Sequence, residues 1–173
     1  MELLSRQKEA GVNLRSLHYA NKFATCDADL ILDCSPRLKD LSIECCYLVK
    51  SKSAETAVRL LEELFLRSQA PIPYPVWSEL LVTCPQLTDF HVTSCKEMTD
   101  ETLEKLLSAD RASEIQVGKR LKRFLIRGGP YLANRIQLTK RSYHNLVANC
   151  PQLEVVGDCA AWSSWSGAGK ELL

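Results

Sequence analysis

Apolar residues recur in this chain at one spacing: an apolar position, a second three places on, a third two after that, with polar residues between. Leu87, Phe90 and Val92 carry the pattern, and Cys95 follows three places later. Leu38, Leu41 and Ile43 repeat it and end at Cys46; Leu121, Phe124 and Ile126 repeat it and end at Gly129. The alternation in each copy has the period of a half-buried strand. Leu14, Leu17 and Tyr19 form a degenerate first copy, and Leu153 and Val156 open a last one.

Stretches of helical period lie between the copies. Asp27 is placed to cap a short apolar helix through Leu30 and Ile31 to Cys34, which Pro36 ends. Pro75 suits the first position of a helix that buries Val76, Trp77, Leu80 and Leu81. Thr99 caps a helix carrying Leu103, Leu106 and Leu107, with Asp100 and Glu101 where the helix dipole favours negative charge. Thr139 caps another, with Tyr143, Leu146 and Val147. Residues 2–10 read as a short helix stopped by Gly11, and Ser53 is placed to cap one through Ala57 and Leu60.

Residues 54–66 are ambiguous. Ala57, Val58, Leu61, Leu64 and Phe65 share one helical face, and Glu62 and Glu63 are strong helix formers. The order of events argues for a strand at 64–67 instead. Leu64 to Arg67, a proline-containing loop, a helix, then Cys84-Pro85-Gln86-Leu87 is one order. Phe124 to Arg127, a glycine–proline loop, a helix, then Cys150-Pro151-Gln152-Leu153 is the same one. Unit starts at 14, 38, 61, 87, 121 and 153 are separated by 24, 23, 26, 34 and 32 residues. The first three steps match leucine-rich repeats, and the last two are lengthened by loops. The expected fold is therefore α/β: a leucine-rich-repeat solenoid at residues 1–161, with a curved parallel sheet on its concave side and helices on its convex side. Residues 162–173 form a Ser/Gly-rich tail.

Composition narrows the function classes. The 173 residues hold 22 basic and 21 acidic side chains, a net +1, and 46% are hydrophobic. This argues against a globally basic nucleic-acid binder. No apolar run reaches the roughly 18 residues a membrane span needs, and the N-terminus lacks the pattern of a signal peptide. These features favour the cytosol or nucleus. The eight cysteines include no Cys-x-x-Cys pair, so we expect structural thiols and neither metal nor cofactor. Cys46 and Cys95 occupy one repeat position, and Cys34, Cys84 and Cys150 another near helix ends.

The sequences Cys84-Pro85-Gln86-Leu87 and Cys150-Pro151-Gln152-Leu153, with the spaced variant Cys34-Ser35-Pro36-Arg37-Leu38, carry a resemblance. The order strand, cysteine, cap, helix, Cys-Pro-x-Leu resembles the cysteine-containing leucine-rich repeats of F-box proteins. In that family the repeats hold a substrate for a cullin-based ubiquitin ligase. Nothing in the chain resembles the Leu-Pro-x-Glu opening of an F-box. The resemblance thus implies the recognition half and a protein partner. Two alternatives are a scaffold unrelated to ubiquitin and a nucleic-acid-associated factor using the basic residues 119–141.

Side chains between the ridge positions of each strand should point to the concave face. The candidate partner-binding residues are Asp40, Glu44, Glu63, Phe65, Arg67, Asp89, His91, Arg123, Leu125 and Arg127. Phe65 and Leu125 are expected as exposed apolar anchors among charges. Charge is also segregated: residues 83–110 carry two basic and six acidic groups, and residues 111–141 carry nine basic groups and one acidic. Asp89, His91 and Cys95 invite comparison with an imidazole-activated thiol. Cys95 lies past the strand, however, and the chain reads as a binding module and not an enzyme.

Overall fold

The computed structural model describes residues 13–49, 59–95, 99–109, 119–127 and 138–157. The expected helix at 2–10 and the tail at 162–173 lie outside them, as does the one from Ser53 except for its end, where Arg59 and Leu60 are not helical. The strands are β1 (Ser16–Asp27), β2 (Asp40–Val49), β3 (Glu63–Ile72), β4 (Asp89–Cys95), β5 (Arg123–Arg127) and β6 (Val155–Gly157). Among the described residues the helices are α1 (Ala28–Cys34), α2 (Tyr74–Thr83), α3 (Asp100–Ala109) and α4 (Lys140–Asn149). The fold is α/β. The strands form one open sheet in chain order, and every neighbouring pair is parallel.

Register follows the apolar spacing. Leu17, Leu41, Leu64, Phe90, Phe124 and Val156 pair in one row across the sheet. Tyr19, Ile43, Leu66, Val92 and Ile126 pair in the next such row. From β2 to β5 these side chains are buried, and the Phe90 and Phe124 rings sit 5.6 Å apart at a tilt of 30°. Leu38, Leu61, Leu87, Leu121 and Leu153, which precede the strands, are buried too. Ile31, Trp77, Leu80, Leu103 and Leu146 from the helices join the same core. Each fully buried side chain of this size contributes roughly 1.5–3 kcal/mol.

A backbone relay enters each of β2 to β5. The Arg15 carbonyl accepts from the N–H groups of Lys39 and Asp40, at 2.7 and 3.0 Å. Lys39 does the same for Glu62 and Glu63, Glu62 for Thr88 and Asp89, and Thr88 for Lys122 and Arg123. The Lys122 carbonyl accepts from Glu154. One carbonyl thus holds the start of the next strand, which sets the register that buries the apolar rows.

The turns before β4 and β6 share one geometry. The Cys84 carbonyl accepts from Leu87 N–H at 3.1 Å, and the Cys150 carbonyl from Leu153 N–H at 3.0 Å. Proline at the second position supplies the required φ. Before β2 the same bond runs from Leu38 N–H to the carbonyl of Ser35, not of Cys34. This corrects the expected equivalence of Cys34 with Cys84 and Cys150. Ser35 stands in their place because proline follows it directly, and Cys34 remains the last residue of α1.

Two further expectations change. The first three strands are long, with 12, 10 and 10 residues. Their far ends keep pairing across irregular stretches, between Asn21 and Thr25 in β1 and between Arg67 and Ile72 in β3. Pro71, which has no N–H to donate, falls in the second. Cys45, not Cys46, faces the core: it continues the alternation of Leu41 and Ile43, while Cys46 is half-buried. The ambiguous stretch resolves as strand from Glu63. Pairing on both sides outweighs the helical preference of Glu62 and Glu63, and α2 begins at Tyr74, one residue before Pro75.

Candidate functional site

The face of the sheet opposite the apolar rows carries a groove of about 400 Å³. Its walls are the two rows of side chains that alternate with the buried ones. In the first row Ser16, Asp40, Glu63, Asp89 and Arg123 stand in register on β1 to β5; in the second, His18, Ser42, Phe65, His91 and Leu125 do. Gly157 follows Leu125 in that row, so the side chains of this row end at β5.

Seven of the ten sequence candidates line the groove: Asp40, Glu63, Phe65, Asp89, His91, Arg123 and Leu125. Glu44 and Arg67 lie one row farther along the strands, outside it. There the Glu44 carboxylate pairs with Lys22 at 3.4 Å and with Arg67 at 3.6 Å. Arg127 pairs with Thr93 in that same row, and its side chain lies outside the described residues. Ser16 and His18 line the groove and were missed. The alternation around Leu17 carried the signal, since it puts both on this face.

Within the groove several polar groups are fixed by neighbours. The Arg123 guanidinium pairs with Asp89, whose carboxylate also accepts from Thr88 Oγ1 at 2.8 Å. His18 Nδ1 and Ser42 Oγ are 2.9 Å apart. Phe65 meets His91 edge to face, with ring centroids 4.5 Å apart and planes at 88°. Phe65 and Leu125 are half-buried, which corrects their expected exposure. Each side chain has a register neighbour in its row, so only part of its surface stays open. Among the described residues the large exposed apolar side chains are instead Phe23, Tyr47, Val49 and Leu60, which do not line the groove.

Of the Asp89–His91–Cys95 constellation, Cys95 is the last residue of β4 and does not lie past the strand as expected. Asp89 is engaged by Arg123 and Thr88, and the Cys95 side chain is not described. Other thiols are turned inward. Burial pushes Cys26 up to about 12 and Cys84 up to about 12. Burial also raises Cys45 to about 11, against a hydrogen bond with Ser68 that lowers it. Such groups stay protonated at neutral pH and are poor nucleophiles.

No family model, curated protein or solved structure matches this chain.

Proposed function

We propose that the chain is a leucine-rich-repeat solenoid whose open sheet face docks a protein segment, in or derived from the substrate-recognition part of an F-box-type ubiquitin ligase. The observation that carries the docking reading is the groove itself: side chains from five neighbouring strands, held in register, present apolar surface beside charge. Mixed surfaces of this kind suit partner recognition. The recurring carbonyl relay and the paired Cys-Pro-Gln-Leu turns support the repeat reading. The ubiquitin assignment rests on the resemblance of those turns.

Three basic side chains within residues 119–141 are engaged by neighbouring units, which supports protein over nucleic acid as the partner. Arg120 donates to Gln86, Arg123 pairs with Asp89, and Arg141 pairs with Glu104. Cations already engaged by neighbouring units give less to a phosphate backbone.

Affinity capture from cells tests the proposal. Recovery of the cullin adaptor with the unaltered chain supports the ligase assignment; protein partners without the adaptor leave a scaffold. Capture that Leu125→Arg and Arg123→Glu leave unchanged, with folding intact, overturns the groove as the docking site. Salt-sensitive RNA or DNA binding in place of protein capture supports the nucleic-acid reading.

A further inference from the structure

The groove is not electrically balanced. Asp40 and Glu63 are register partners on β2 and β3, and both line it. Among the described residues neither carboxylate has a basic partner. Their neighbours do: Asp89 has Arg123, Glu44 has Lys22 and Arg67, and Glu62 has Lys39. Like charges side by side on adjacent strands are destabilising, so a cation placed between them is favoured. Farther along the groove, beyond His91, the wall turns apolar at Leu125, and the Phe65 and His91 rings meet edge to face.

We propose that this groove selects an extended peptide segment with a lysine or arginine seated between Asp40 and Glu63 and an apolar side chain resting on Phe65 and Leu125. The inference rests on the docking reading above and adds the chemistry of the partner. Neighbouring strands lie about 4.8 Å apart and successive rows about 6.6 Å apart, so the gap between Asp40 and Glu63 is roughly 7 Å across and one row along from the midpoint of Phe65 and Leu125, about 10 Å in all. Alternate side chains of an extended peptide are about 6.6 Å apart and point the same way. A basic residue and an apolar residue two places apart therefore reach both subsites from a chain laid obliquely across the strands, the long basic side chain spanning the remaining ~3 Å. An arginine fork has two carboxylates to bridge, which favours it over a point charge. Opposite charge on the groove and on the segment also rejects acidic competitors.

The test uses the full chain and three fluorescein-labelled nonapeptides of Gly/Ser background, with Arg-Ser-Leu, Glu-Ser-Leu or Arg-Ser-Ser at the centre, read by fluorescence anisotropy. The expected result is binding of the Arg-Ser-Leu peptide at least about tenfold tighter than either of the others, weakened by added salt. The double variant Asp40→Asn, Glu63→Gln should erase the preference for Arg over Glu while keeping the preference for Leu. Equal affinity for the Arg-Ser-Leu and Glu-Ser-Leu peptides overturns the charge selection, and that comparison needs no variant. So does a preference that survives the double variant. If binding in those cases still falls with Leu125→Arg, the docking groove stands without its charge rule. Binding to none of the three peptides, or binding untouched by Leu125→Arg, overturns both.

Discussion

Asp100, the first residue of α3, holds the start of the next helix: its carboxylate accepts the backbone N–H of Thr139, the N-cap of α4, at 2.8 Å. The Thr139 and Ser142 hydroxyls donate to the same carboxylate. One turn along, Glu104 receives Arg141 and Asn145. The two helices are thus joined by a polar clasp that neither one's capping predicts.

The clasp makes acid stability depend on one side chain. Burial would raise the Asp100 carboxyl, but the hydrogen bonds from Ser142 and Thr139 outweigh it and hold the group below its usual range. A group depressed in the folded state contributes stability above its unfolded value, about 3.9, and loses it as pH falls through the folded value. Asp100→Asn should lower stability at pH 7 by about 0.5–2 kcal/mol, on the scale of a lost cap, read as a lower urea midpoint. It should also flatten the loss of stability below about pH 4. Urea titrations at pH 7 and pH 3 check both.

Phe90→Ala should be far more costly than a change on the open face. The ring is buried between Leu64 and Phe124 in its row, and truncations of this kind cost about 3–5 kcal/mol. Thr93→Ala on the same strand should cost well under half of that. Phe90→Ala and Phe124→Ala should be non-additive, because the rings touch. A double-mutant cycle in urea measures the coupling.

Thiol reactivity should report unfolding. Cys26, Cys45 and Cys84 are buried and raised to about 12, 11 and 12. At pH 8 a thiol-specific disulfide reagent should label them only at the rate of opening, and rapidly in urea. Mass spectrometry of time-quenched samples assigns each site; prompt labelling of Cys84 in the native protein would contradict its placement.

Asp27→Ala should loosen α1. The Asp27 carboxylate accepts from Asp29 N–H at 3.0 Å and Leu30 N–H at 3.3 Å, and α1 has only 7 residues to hold it. The expected cost is about 0.5–2 kcal/mol. Hydrogen exchange at Leu30 and Ile31 should rise more than at Leu64 in the sheet.

The strand rows and most of the groove were legible because both follow from local spacing. Leu41 and Ile43 face one way, so Asp40, Ser42 and Glu44 must face the other. The same rule extends to β5 once Phe124 is aligned with Phe90. The caps at Asp27, Thr99 and Thr139 were legible for a similar reason, since each hydroxyl or carboxylate acts within its own turn. Less could be read where two distant segments compete. The helical face around Leu61 and Leu64 was as good a pattern as the strand, and pairing with β2 and β4 decided it. Ser35 took a position that spacing alone gave to Cys34, because the turn is defined by the hydrogen bond to Leu38.

By itself the sequence determined that apolar groups would repeat in register and that polar ones would alternate with them, since side-chain direction along a strand is a property of local covalent geometry. Which carboxylates are neutralised depends on strands that folding brings side by side. Asp89 and Asp40 are equivalent in the pattern and both flank Glu63, yet the other neighbour is Arg123 for Asp89 and Ser16 for Asp40. Coulomb energy depends on distance through space, and the segments that set those distances are separated by tens of residues of chain.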